Sequence, residues 1–76
     1  MNACIVHKEE YDQTVTLKIV AAGCKSAMRA EMARIADSMK DDLSSFIRAD
    51  DGTVETCSRT VVESDGLTYE HYYLVG

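Results

Sequence analysis

One stretch of this chain, residues 26–47, carries helix periodicity, and it restricts the folds available to everything around it. Met28, Met32, Ile35, Ala36, Met39, Leu43, Phe46 and Ile47 recur at i, i+3, i+4 and i+7, the spacing of a helix with one buried face. The runs on either side alternate or are rich in β-branched residues. A single helix and several strands can bury their apolar surface in few ways, the simplest being the helix laid across one face of a sheet. Ser26 is the expected N-cap, and Asp50-Asp51-Gly52 the expected exit turn. The charges run against the helix dipole, with Lys25 and Arg29 at its start and Asp41 and Asp42 near its end. Each misplaced charge costs from a few tenths to about 1 kcal/mol. Such a local misfit is one mark of a surface kept for something other than stability.

Asn2 to Lys8 reads as a short strand, followed by a polar turn over residues 9–13. Thr14 to Ala21 alternates, with Val15, Leu17 and Ile19 on one side and Thr14, Thr16 and Lys18 on the other, as a half-buried strand does. Thr53 to Glu63 and Leu67 to Val75 flank Ser64-Asp65-Gly66, and Asp-Gly in a two-residue loop is the favoured type I′ turn. That turn sets Glu63 opposite Thr68, Val62 opposite Tyr69, Thr60 opposite His71 and Ser58 opposite Tyr73. One side of the hairpin then carries Val54, Thr56, Ser58, Thr60, Val62, Tyr69, His71, Tyr73 and Val75 without a formal charge, and this side is expected under the helix. The expected fold is a two-layer α+β sandwich of ββαββ order, one long helix on a mainly antiparallel four-stranded sheet. Its open face would carry Lys18, Glu55, Arg59, Glu70 and Tyr72. Interleaved charges of this kind read first as a solvated surface, with Arg59, Glu70 and Tyr72 a candidate interface.

Seventy-six residues make one domain, residues 1–76, with no proline, repeat or low-complexity tract. A chain of this size buries only about 60% of its unfolded surface, which leaves little material for an active-site cleft and argues against an enzyme. The net charge of −5 is uneven. Residues 1–36 hold five basic and four acidic side chains, a net +1; residues 37–76 hold three basic and nine acidic ones, a net −6. Nucleic-acid binders carry basic patches that neutralise phosphate, so direct nucleic-acid binding is not expected. An acidic half suits a protein partner with a basic surface, reached by electrostatic steering. Cys4, Cys24 and Cys57 are odd in number and widely spaced, which fits reduced thiols in the cytoplasm. No signal peptide is expected, and the apolar run 19–23 is too short to cross a membrane.

No cofactor or metal is expected. Gly23-Cys24-Lys25-Ser26 has the tail of a phosphate-binding loop but lacks both glycines of that pattern. Cys24, between a strand and a helix start, could be activated there, although a small apolar corner residue explains it as well. Cys4 and His7 point to opposite sides of a strand, so gathering zinc ligands from Cys4, His7, Cys57 and His71 is unfavourable. Tyr69, Tyr72 and Tyr73 fit sheet packing or a protein-binding patch better than base stacking, given the acid around them. Asp41, Asp42, Asp50 and Asp51 make the densest acidic region, and with Asp37 they are the expected partner-binding residues. Size and charge together suggest a small protein-binding module. One version is a phage or mobile-element inhibitor of a host nucleic-acid machine, anti-CRISPR-like or DNA-mimicking. A homodimer joined through an exposed C-terminal strand is the alternative, and a Cys24-centred enzyme or ligand module is a third.

Overall fold

The first hairpin is longer and tighter than its polar sequence suggests. β1 (Asn2–Tyr11) stays paired with β2 (Thr14–Cys24) through Lys8, Glu9, Glu10 and Tyr11. The chain reverses over Asp12 and Gln13 alone, at φ 47° and 66°. Positive φ at both central residues defines a type I′ turn, whose twist matches that of the strands. The computed structural model describes residues 2–50 and 53–76. After β2 come α1 (Lys25–Met39), β3 (Ser45–Asp50), β4 (Thr53–Glu63) and β5 (Gly66–Val75). The result is a five-stranded antiparallel sheet in the order β2-β1-β5-β4-β3, one strand more than expected. β2 and β3 lie at opposite edges, so α1 crosses one face of the sheet to join them. No helix among the described residues is long and apolar enough to cross a membrane.

The fifth strand is made from what reads as the last turns of the helix. α1 stops at Met39 rather than near Ile47. The Asp42 amide donates to the Met39 carbonyl at 2.9 Å, and the Ser45 amide to the Asp42 carbonyl at 3.0 Å. Asp42 Oδ1 accepts from the Ser44 amide at 2.9 Å and lies 2.7 Å from the Ser44 hydroxyl. That hydroxyl also sits 2.9 Å from the Thr60 carbonyl, which ties the turn to β4. A side chain bonding to the backbone two residues on competes with helix, and here it wins. Leu43, although it continues the apolar stripe, is fully exposed. The dipole conflict is correspondingly smaller: Asp41 and Asp42 lie beyond the helix, and Lys25 and Arg29 at its start remain. Cys24, not Ser26, is the N-cap, and it makes no side-chain cap hydrogen bond.

The expected faces of the sheet are exchanged. Met28, Met32, Ala36 and Met39 form the buried helix stripe. They pack with Ala3, Ile5 and Cys57, and with Ala21, Ile47, Val54, Tyr72 and Leu74 around them. The odd-numbered side of β4 and the even-numbered side of β5 therefore lie under the helix, and these are the sides that carry Arg59, Glu70 and Tyr72. The side without charges, expected inside, faces away. Two β-bulges adjust the edges. Val20 is the unpaired residue between Ile5↔Ala21 and Val6↔Ile19, and Glu55 the one between Arg48↔Thr56 and Ala49↔Val54. A bulge reverses the alternation beyond it. Ala21 and Val54 consequently turn toward the core, while Val15, Leu17 and Ile19 turn away from it.

The second hairpin pairs Glu63 with Gly66, Val62 with Leu67, Thr60 with Tyr69 and Ser58 with His71. Its loop is Ser64-Asp65, a shift of two residues from the expected register, and an even shift keeps every side chain on its own side. Neither loop residue has positive φ; among the described residues the type I′ turn is at Asp12-Gln13. The exit turn expected at Asp50-Asp51-Gly52 falls partly on residues 51 and 52, which lie outside the described residues.

Candidate functional site

On the helix side, α1 leaves a polar row of the sheet beyond its C-terminal end. Register places Thr16, Glu9, Glu70, Arg59 and Ser45 across strands β2, β1, β5, β4 and β3. Glu9 and Glu70 oppose each other as like charges, and Arg59 compensates. Its Nη2 and Nε donate to Glu70 Oε2 at 2.6 and 3.1 Å. Glu70 raises the Arg59 pKa further above its ordinary value. His7 Nε2 lies 4.0 Å from Glu70 Oε1, and the ring stacks on Tyr72 with centroids 4.6 Å apart. Arg59, Glu70 and Tyr72, expected on an open interface, are thus partly buried beside the helix and engaged with one another and with His7. Their charges read as surface only while their partners were unknown.

Beyond that row the two hairpin tips stand side by side, because β1 pairs with β5. Glu9, Tyr11, Thr14, Glu63, Asp65 and Thr68 line an open concavity of about 470 Å³ there. Asp65 accepts a hydrogen bond from the Tyr11 hydroxyl and raises the phenol pKa. No local signal in the sequence joins Glu9 to Glu63 and Asp65; only the β1–β5 pairing does.

The predicted acidic patch is dispersed. Asp37 pairs with Lys40 at 3.0 Å on the helix surface. Asp41 is exposed in the turn after α1. The Asp42 carboxylate is committed to that turn, and the Ser44 hydroxyl and amide hold its pKa below the usual carboxylate range. Asp50 ends β3, about 17 Å of strand away from Ser45. Asp51 lies outside the described residues.

The face of the sheet away from α1 is not covered by any described element. Its central row runs Leu17, Lys8, His71, Ser58 and Phe46 from edge to edge. Ile19, Val6, Tyr73, Thr56 and Arg48 form the row on one side; Val15, Glu10, Tyr69 and Thr60 form the row on the other, with Val62 and Leu67 beyond. Val15, Leu17 and Ile19 are 56, 66 and 63% exposed, Phe46 64% and Val62 78%. Polar groups at the centre satisfy one another. Ser58 Oγ and His71 Nδ1 are 2.8 Å apart, and Lys8 Nζ lies 2.8 Å from Glu10 Oε1. That ion pair raises the Lys8 pKa and lowers that of Glu10.

Cys24 is exposed, with its sulfur 3.5 Å from the Ser26 hydroxyl. That hydroxyl and the first-turn amides lower its thiol pKa, whereas burial raises that of Cys57. Cys4 and His71 sit on the helix-free side and His7 and Cys57 on the helix side, so the sheet separates the four residues weighed as zinc ligands. The terminal strand β5 is paired on both sides, with β1 and β4, which removes the exposed edge that C-terminal strand pairing requires. No known protein family, curated protein or solved structure matches the chain.

Proposed function

We propose that the protein is a small non-catalytic protein-binding module whose contact surface is the helix-free face of its sheet. The observation that carries this reading is the outward alternation of Val15, Leu17 and Ile19 along β2, each more than half exposed, with Phe46 and Val62 exposed elsewhere on the same face. An antiparallel sheet with one solvated face normally turns its polar residues outward. Here the bulge at Val20 turns the apolar side of β2 outward and leaves Thr14, Thr16 and Lys18 on the helix side. Contiguous exposed apolar surface of this kind marks interaction sites. The three free thiols suit a reducing, cytoplasmic setting. Photo-crosslinking tests the surface directly, with a photoreactive side chain placed at Leu17 in one variant and at Lys18 in another. The two positions are adjacent on one strand and face opposite ways. Adducts from position 17 and not from 18 are expected; equal labelling at both, or none at 17, refutes the assignment.

A second reading has its own support in the concavity lined by Glu9, Glu63 and Asp65. A protein with a basic surface would be steered to this end of an acidic molecule. Asp37 and Asp41, exposed on the same side of the sheet as the helix, would add to the field. Charge reversal at Glu63 and Asp65 should slow association with such a partner at low salt, and unchanged kinetics would remove this reading.

A further inference from the structure

We infer that the occupant of the helix-free face is a second copy of this chain, the two sheets packing face to face about a two-fold axis with the helices outside. The inference rests on the reading of that face as a contact surface and names what covers it. Size is the first argument. The molecule extends 41 × 25 × 15 Å, and the sheet presents its two longer dimensions. Such a face has a footprint of at most roughly 1,000 Å², of the order of the ~800 Å² per partner of a stable interface.

Charge is the second argument. Among the described side chains the face carries Lys8, Glu10 and Arg48, a net +1, with Lys8 and Glu10 already paired. The formal charge of −5 is therefore carried mainly away from this face. A basic partner would be drawn to the other surfaces rather than to this one. Two identical acidic molecules repel least in the approach that keeps their acidic sides apart, which is face to face. A two-fold interface must also be self-complementary. The apolar rim and neutral, hydrogen-bonded centre meet that condition, with Arg48 left at the β3 edge as the one unpaired charge among the described side chains. The product is a four-layer αββα assembly with its sheets about 10 Å apart.

Sedimentation equilibrium, or chromatography with light scattering over a concentration series, tests the inference. The expected species has twice the 8.4 kDa mass of one chain. Leu17→Asp and Val62→Asp, each at an exposed position, should raise the dimer Kd by roughly a hundredfold or more, because each buries an unpaired charge at the interface. Lys18→Glu, on the same strand but the other side, should leave the dimer intact. Added salt should strengthen the dimer slightly by screening the repulsion of two acidic chains, whereas it would weaken a complex with a basic partner. A wild-type chain that remains monomeric overturns the inference, as does a dimer that survives both Asp substitutions. A fluorescent apolar dye separates the two failures. Dye bound by a monomeric wild type and lost in Leu17→Asp keeps the face as a contact surface with another occupant. A monomer that binds no dye removes the face reading as well.

Discussion

Two isoleucines on neighbouring strands give the sharpest test of which side of the sheet is inside. Ile5 is fully buried under α1, and Ile19, on the paired strand, is 63% exposed on the other side. Truncation to alanine removes three carbons from each, worth about 2.4 kcal/mol of transfer free energy if fully buried. At Ile5 the surrounding Met28, Met32 and Ala36 packing can collapse only in part, so a cavity term brings the expected loss to about 3–4 kcal/mol. At Ile19 little more than a third of that burial exists and water fills the space, so about 0.9 kcal/mol is expected. A 76-residue domain has roughly 4–11 kcal/mol of stability in all. Ile5→Ala should therefore leave a marginal fold, with Tm lowered by about 12 °C or more, and Ile19→Ala should lower it by about 7 °C or less. Urea titration followed by circular dichroism measures both losses, at a concentration low enough to keep the chain monomeric. The alternation of β2 read without its bulge makes the opposite prediction, with Ile19 inside. Equal losses at the two sites, or a larger one at Ile19, would refute the face assignment and the contact surface built on it.

Gln13→Gly should stabilise the protein by about 1 kcal/mol, because Gln13 sits at φ 66°, a conformation that costs a residue with a Cβ but not glycine; a rise in Tm checks it. In native protein, iodoacetamide should modify exposed Cys24 first and buried Cys57 only on unfolding, and peptide mapping by mass spectrometry reads the order. The Asp42 carboxyl has a lowered pKa in the folded state, so its stabilising effect is fully present above the unfolded-state value and fades as pH falls through that value to the folded one. The stability gap between wild type and Asp42→Ala should accordingly narrow on acidification, and a gap that widens below pH ~4 would contradict the turn geometry.

The class of fold was legible because it depends on local period. One stretch repeats at 3.6 and the rest at 2, and a single helix on an antiparallel sheet follows from that contrast. The end of the helix was not legible. Leu43, Phe46 and Ile47 continue the stripe, while the Asp42 carboxylate turns the chain by hydrogen bonds that leave no trace in an apolar pattern. Alternation also shows that a strand has two sides without saying which is buried. Charge was the natural guide, and it misled because Arg59 and Glu70 neutralise each other across β4 and β5 beside the helix. The acidic residues could each be seen in the sequence, but their grouping could not. Glu9 meets Glu63 and Asp65 only because the first and last strands pair at the centre of the sheet, and Asp42 is separated from Asp50 because β3 lies between them.

The same geometry says how the molecule can and cannot associate. A sheet with two free edges is open to strand addition unless those edges are spoiled. Edge strand β2 is broken by its bulge at Val20 and carries Lys18 close by, so its outer hydrogen-bonding row is irregular. Edge strand β3 is six residues long, bears Arg48, and pairs with β4 across a second bulge. Both edges thus carry the features that oppose pairing with another chain. The helix-free face is less protected: among the described residues its rim carries valine, leucine, isoleucine and phenylalanine, with Arg48 as the charge on the β3 edge. Blunted edges beside a nearly neutral, bare face favour the proposed association across the sheet over strand addition along it.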